Sequence, residues 1–129
     1  MADIFSTQAL SLPEKKFKMV QEDPPTEVEW DNLADGKSND IGLEKIWLLV
    51  TQEIFQLWQQ RQKKYGRRNI AEFGEVGCLV RGYDKMARLR RALIDKEGEE
   101  MDDETVADSW LDLVNYAIMG LMCHRGLWK

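Results

Sequence analysis

The chain has 129 residues, 43% of them apolar and 32% charged, a composition that indicates one ordinary globular domain and excludes a disordered chain. Its longest apolar run falls short of the roughly 18 residues needed to cross a bilayer, and its first residues do not form a basic and apolar leader. The net charge of −5 opposes attraction to a polyanion, so nucleic acid is not an expected partner. These properties predict a cytoplasmic protein that does not enter a membrane.

Several common chemistries lack their residues. The single histidine, His124, lies near the C-terminal end, and the sequence contains no Cys-x-x-Cys pair, phosphate-binding glycine loop or nucleophile elbow. Zinc sites, P-loop hydrolysis and serine catalysis are therefore disfavoured. Cys78 and Cys123 both fall inside apolar helical patterns, so we expect small buried hydrophobes and no disulfide framework.

Residues 1–40 are predicted to form an irregular arm. The Pro24-Pro25 pair and the polar stretch at 35–40 leave no window of sustained periodicity. Residues 41–129 are predicted to form the helical domain that carries the function.

The first long helix is predicted from Leu43 to Lys64. Apolar residues recur there at steps of three and four, which places them on one stripe of a helix. Asp40 is a candidate N-cap and Gly66 a candidate stop. The stripe consists of Leu43, Ile46, Trp47, Val50, Ile54, Leu57 and Trp58.

A second helix is predicted from Ala71 to Ile94. Its N-terminal half contains Gly74, Gly77 and Gly82, and each glycine inside a helix costs about 1 kcal/mol relative to alanine. Close approach of another helix or of a ligand would explain these glycines, and a bend at residues 74–77 is the alternative. The apolar face consists of Val76, Leu79, Val80, Tyr83, Met86, Ala87 and Leu93.

A third helix is predicted from Asp103 to Cys123, with acidic residues in its first turn. The expected fold class is therefore all-α, a small bundle of three main helices. Wide apolar arcs and five tryptophans offer more apolar surface than such a bundle can hide, so we expect a homo-oligomer to complete it. The core stripe of the third helix consists of Val106, Trp110, Val114, Ala117, Ile118 and Leu121.

Acidic residues on two helices are candidate metal ligands. Four polar residues, Glu104, Asp108, Asp112 and Asn115, share one arc of the third helix, where two carboxylates four residues apart could bind Mg²⁺. On the predicted second helix, Glu72 lies in the middle of the apolar arc and Glu75 lies at its margin. A carboxylate that faces a core must be paired, protonated or bound to a metal. Two alternatives stay open: an acidic solvated edge on the third helix, and a loop position for Glu72.

A polar patch on the second helix is a candidate phosphate site. Asp84, Lys85 and Arg88 lie beside Tyr83, and the first and third have the i, i+4 spacing of a helical ion pair. A surface salt bridge explains them, and phosphate capture by Lys85 and Arg88 is the alternative. A mixture of acids and bases suits a metal with a polyphosphate better than it suits a duplex.

The polar motif of the second helix, at Asp84–Arg88, and that of the third helix, at Asp108–Tyr116, together resemble the nucleotide modification associated domain 1 family of phages and bacteria. The helices of that family are similar to those of the all-α nucleoside triphosphate pyrophosphatases, the MazG-like and dimeric dUTPase-like enzymes. The resemblance implies a nucleotide ligand, Mg²⁺ as cofactor and, for a phage-encoded chain, the host cytoplasm as location. It covers residues 43–125 and rests on two motifs, Asp84-Lys85-x-x-Arg88 and Asp108-x-x-x-Asp112-x-x-Asn115-Tyr116.

In those pyrophosphatases one helix supplies Glu-x-x-Glu and a later helix Glu-x-x-Asp, which together hold the Mg²⁺ that activates water. In this sequence Ser109 stands where the second motif has its first acid. The resemblance implies a catalytic and metal-binding set that consists of Glu72, Glu75, Asp108 and Asp112. The predicted substrate-binding set consists of Tyr83, Asp84, Lys85, Arg88, Asn115 and Tyr116.

Three functions remain open. A Mg²⁺-dependent hydrolase would use both sets to convert a nucleoside triphosphate to monophosphate and pyrophosphate. A binding protein without turnover, such as a carrier or a phage sponge for a cyclic or other nucleotide signal, would use the basic residues and the faces of Tyr83 and Tyr116, and Ser109 favours it. A scaffold or nucleic-acid accessory protein would use its acids only for solvation, and salt-sensitive DNA binding would indicate it.

Overall fold

The computed structural model describes residues 25–35, 42–96 and 103–129, which belong to two compact units divided between Ile41 and Gly42. Every element formed by these residues is helical, so the expected all-α class is confirmed. Within the described part of the chain, no helix is long and apolar enough to cross a membrane.

A short helix, α1, spans Glu27–Ala34 in the first unit. The Glu29 N–H donates to Thr26 Oγ1 at 3.3 Å, and the Thr26 N–H donates to Glu29 Oε2 at 2.9 Å. This capping box satisfies donors that a helix N-terminus leaves unpaired. The prediction of an irregular arm is therefore wrong at residues 27–34, and the Thr-x-x-Glu spacing was the sequence signal that could have revealed the helix.

The second unit begins with α2, Leu43–Tyr65, which ends one residue beyond the predicted helix. The predicted stop is confirmed, because Gly66 has a φ of 72° and donates its N–H to the Gln62 carbonyl at 2.9 Å. The start differs: Gly42 occupies the N-cap position, and the candidate cap Asp40 lies outside the described residues.

The predicted second helix is interrupted. Arg68–Ala71 form a single turn, α3, and the long helix α4 spans Gly74–Arg90. Gly74 has a φ of 59°, so a bend explains this glycine. Beyond α4 the chain continues as a π-helical turn, Arg91–Asp95.

The last helix, α5, spans Asp103–His124 and packs extensively against α4. A Cβ placed on Gly120 would lie 3.4 Å from the Cys78 Cβ, and one placed on Gly82 would lie 3.6 Å from Leu113 Cδ1. This order of contacts means that the two helices run antiparallel, and the small residues let them approach closely. Close helix packing therefore explains Gly82.

The core lies where α2, α3, α4 and α5 meet. Ile70, Cys78 and Met119 are buried there, with Trp58 and Tyr116 packed against them. Cys78 is buried, as expected from the sequence, whereas Cys123 is only half-buried; both thiols are free.

The predicted core stripes of α4 and α5 are wrong for the single chain. Among the described side chains of α5, from Thr105 onward, the buried ones are Ser109, Asp112, Asn115 and Met119, three of them polar. The predicted stripes lie instead on exposed sides of the two helices, because α2 covers the polar side of α5. Their exposed members include Val76, Leu79, Tyr83, Met86, Trp110, Ile118 and Leu121.

Candidate functional site

A cavity of about 740 Å³ lies between α2, α4 and α5, with α3 at one end. Small-molecule sites in proteins commonly have volumes of about 300–1,000 Å³. The side chains that line the cavity are mixed, and they include cationic, aromatic and amide groups together with one carboxylate.

The cationic side chains dominate the charge of the cavity. Among the described residues that line it, four are cationic and one is anionic. The whole chain carries a net charge of −5, so the cavity has the opposite sign of charge to the chain as a whole. The cations are Arg61, Lys64, Arg81 and Lys85, and the anion is Asp112.

Asp112 lies at the wall of the cavity and is only 6% exposed. The Arg61 guanidinium donates to Asp112 Oδ1, and Lys85 Nζ lies 3.1 Å from Asp112 Oδ2. A buried carboxylate needs such partners, because water no longer solvates its charge. The carboxylate therefore holds two cations from different helices at one edge of the cavity.

Two further polar residues of α5 are buried beside Asp112. Asn115 Nδ2 donates to the Ile54 carbonyl at 3.5 Å, which connects α5 to α2. The Ser109 hydroxyl donates to the Thr105 carbonyl of its own helix at 2.9 Å. The position at which the pyrophosphatase motif has an acid is thus occupied by a buried hydroxyl that is already bonded.

Aromatic rings in the cavity lie close to its cations. Lys64 Nζ is 5.2 Å from the Tyr65 ring centroid, and Arg81 Cζ is 6.0 Å from the Tyr116 ring centroid. Arg81 Nη2 also donates to Asn69 Oδ1 at 3.2 Å. These contacts orient both cations without neutralising them, because their partners are uncharged.

The structure brings four predicted site residues to this cavity, and these are Lys85, Asp112, Asn115 and Tyr116. Sequence analysis did not include Arg81 in the site, although it stands four residues before Lys85 and so shares its helical face. Tyr65 and Asn69 were also absent from the predicted site, because their position at the cavity depends on how α2 and α3 pack against α4.

Three predicted substrate-binding residues do not line the cavity. Asp84 and Arg88 are exposed and pair with each other, with 3.8 Å between Oδ2 and Nε, so the surface salt bridge is the correct interpretation. Tyr83 lines an apolar groove on the opposite side of the α4–α5 pair.

The four predicted metal ligands lie apart. Glu72 follows α3 as its C-cap and is exposed, so the loop alternative holds and the expectation that Glu72 faces a core is wrong. Glu75 is exposed and lies 3.0 Å from His124 Nδ1. His124 stands 12 residues beyond Asp112 on α5, which is about 18 Å along a helix. Asp108 is exposed.

This arrangement does not fit the predicted Mg²⁺ ion. No three His, Cys, Asp or Glu side chains in the described ranges lie close enough together to hold a metal. The one acid that reaches the cavity, Asp112, is already paired with two cations.

The thiol of Cys78 is not a candidate nucleophile. Burial raises its pKa to about 11, and the adjacent Cys123 thiol adds to the increase. Because the thiolate is the reactive form, a thiol with this pKa is inert near neutral pH.

Comparison of the chain with protein-family models gave no match. Comparisons with curated proteins and with solved structures also gave no match. The family resemblance stays a prediction, and the function must be inferred from the cavity itself.

Proposed function

We propose that the chain binds a nucleotide in the cavity between α2, α4 and α5. The observation that supports this most directly is the combination of four cations with aromatic and amide side chains in one cavity. Arginine and lysine recognise phosphate oxygens through charge-assisted hydrogen bonds. Aromatic faces stack on nucleobases, and amides can bond to their edges.

Arg81 and Lys64 are the residues assigned to the phosphate. Arg61 and Lys85 already share the carboxylate of Asp112, whereas Arg81 and Lys64 contact neutral partners. Their charge is therefore less compensated within the cavity. We assign the base to the neighbourhood of Tyr116, whose ring lies beside the Arg81 guanidinium.

A single nucleotide fits the proposal better than a polynucleotide. A volume of about 740 Å³ accommodates one small molecule. A long duplex would require an extended basic face to overcome the negative charge of the whole chain. A nucleotide brings its negative charge in a compact group that the cluster of cations can surround.

Hydrolysis of the bound nucleotide is the second candidate function. The observation in its favour is that a carboxylate, Asp112, lies among the cations that would face the phosphates. Against it, Ser109 replaces an acid of the pyrophosphatase motif, and the remaining predicted acids are exposed elsewhere. Binding without turnover is therefore the function that we favour.

The test is to incubate the purified full chain with nucleoside mono-, di- and triphosphates and cyclic nucleotides, with and without Mg²⁺. Calorimetry would measure binding, and chromatography would measure product. The proposal predicts that at least one nucleotide binds and is recovered unchanged. Pyrophosphate release that requires Mg²⁺ would instead establish the hydrolase, and absence of binding throughout the panel would refute both.

A matched pair of variants tests the site. Arg81→Gln removes a cavity cation and should weaken binding at least about 10-fold, the effect of about 1.4 kcal/mol. Arg88→Gln removes the same charge from the same helix, seven residues later, at a position that does not line the cavity, and should leave binding within about 2-fold. Equal losses in the two variants would mean that general charge and not the cavity controls binding.

A further inference from the structure

The side of the α4–α5 pair opposite the cavity carries an uncovered apolar surface, here called the open face. On α4 it includes Val76, Leu79, Tyr83 and Met86, which are 69%, 61%, 66% and 55% exposed. These residues lie along a groove whose wall includes Gly82 and Gly120. Isolated exposed apolar residues are normal, but a contiguous row of large ones indicates an interaction surface.

The spacing of the exposed residues is that of a coiled-coil seam. On α4 the steps between them are three, four and three residues. On α5, Val114, Ala117 and Leu121 are exposed at steps of three and four. Steps that alternate between three and four keep one stripe of a helix directed at a partner helix over several turns. The open face therefore has two parallel ridges that suit packing against other helices.

The area of the open face approaches the requirement of a stable dimer. Its six large side chains are 36–69% exposed, which corresponds to on the order of 650 Å² per chain, somewhat below the roughly 800 Å² per partner of a standard interface. One charged residue, Glu75, lines the groove, and it lies 3.0 Å from His124 at one end. Depletion of charge is typical of the centre of a permanent interface.

We propose that the open face binds a second copy of this chain. A twofold axis would set α4 of one copy against α5 of the other and complete a four-helix bundle from the two helix pairs. Such an interface requires one patch to complement itself, and the two apolar ridges of similar spacing meet that requirement. The face also lacks clustered like charges that would repel across the axis.

The second copy would also act on the cavity. Leu79 and Tyr83 face the groove, whereas Arg81 and Lys85 of the same helix line the cavity. A partner packed on one side of α4 would therefore fix the wall that presents these cations. The proposed dimer does not depend on any ligand, and it is tested without one.

The experiment is sedimentation equilibrium on the full chain without nucleotide, from about 1 to about 100 μM, the range that reveals a micromolar dissociation constant. The wild-type chain is expected to reach twice the 15.1 kDa of a single chain. Leu79→Glu places a charge in the proposed interface and should weaken association at least about 100-fold. Leu48→Glu is the control, since Leu48 is 57% exposed on α2 and does not line the groove.

Far-ultraviolet circular dichroism would verify that each variant keeps its helices, and Met86→Lys provides a second interface variant. Loss of the dimer in Leu79→Glu and Met86→Lys, with an intact dimer in Leu48→Glu, supports the proposal. A wild-type chain that stays monomeric throughout would overturn it and leave the face to a different partner. A dimer that survives both interface variants, or that Leu48→Glu disrupts equally, would also overturn it.

Discussion

The two sides of α4 illustrate how different chemistry can occupy one helix. On one side Arg81 and Lys85 line a cavity with mixed polar and apolar walls, and on the other Leu79 and Tyr83 border an apolar groove. Between them, Cys78 and Gly82 are buried, and both lie at the close contact with α5. Close packing of two helices selects small residues, so the widest apolar arc of a helix need not be the arc that its own chain buries.

The largest change in stability is expected from Leu89→Ala. Leu89 is buried in α4 at 5% exposure, and removing its side chain should lower the free energy of unfolding by about 3 kcal/mol through lost contacts and a cavity. Val80→Ala changes an exposed apolar residue of the same helix and should stay within about 0.5 kcal/mol. Urea unfolding followed by circular dichroism measures both. Similar losses would show that the two positions are not buried to different degrees.

A second, smaller effect is expected from Asp112→Leu. This change leaves Lys85 and Arg61 without their shared carboxylate, and breaking a buried ion pair commonly costs about 3–5 kcal/mol. Because the Arg61 side chain is 38% exposed, we expect about 2 kcal/mol in urea unfolding. Asp108→Leu, one turn earlier on the exposed surface, should cost less than about 0.5 kcal/mol. If both changes were equally mild, the polar side of α5 would not depend on its ion pairs.

A third effect, measured as a reaction rate, concerns the thiol between α4 and α5. The pKa of Cys78 is raised from 9.0 to about 11, so the folded chain keeps a proton that the unfolded chain releases above pH 9. The stability contributed by the neutral thiol is therefore present below about pH 9 and is lost as the pH rises through 11.

Alkylation with iodoacetamide followed by peptide mapping checks this. At pH 8, Cys78 should react at least about 100-fold more slowly in the folded chain than in urea, which corresponds to two pKa units. Cys123, which is less buried, should be modified first. Rapid labelling of Cys78 in the folded chain would mean that α4 and α5 separate readily.

Local signals allowed much of the helical framework to be predicted. The limits of α2 and α5 followed from their apolar periodicity, and Gly66 marked the end of α2 as expected. The start of α4 did not follow, because the pattern continued through residues 71–73 while the left-handed φ of Gly74 separated α3 from α4. That bend is the reason that Glu72 does not face a core.

The candidate site was predicted only in part. Lys85, Asp112, Asn115 and Tyr116 reached one cavity as residues of two predicted motifs. Arg61 and Tyr65 join them because α2 packs beside α5, and a helical pattern alone does not specify which helices become neighbours. In contrast, Arg88 shares the motif of Lys85, but it lies about one turn further along the helix and does not line the cavity.

The sequence by itself determined the all-α class, the long helices and the presence of acidic, basic and apolar arcs on each of them. Those features depend on residue spacing and on glycine, both of which act over a few residues. Only the tertiary structure decided which arc was buried. That choice depends on helix packing, in which Gly82 and Gly120 allow α4 and α5 to meet closely, so that the polar side of α5 turns toward α2 and the apolar sides are left as an open face.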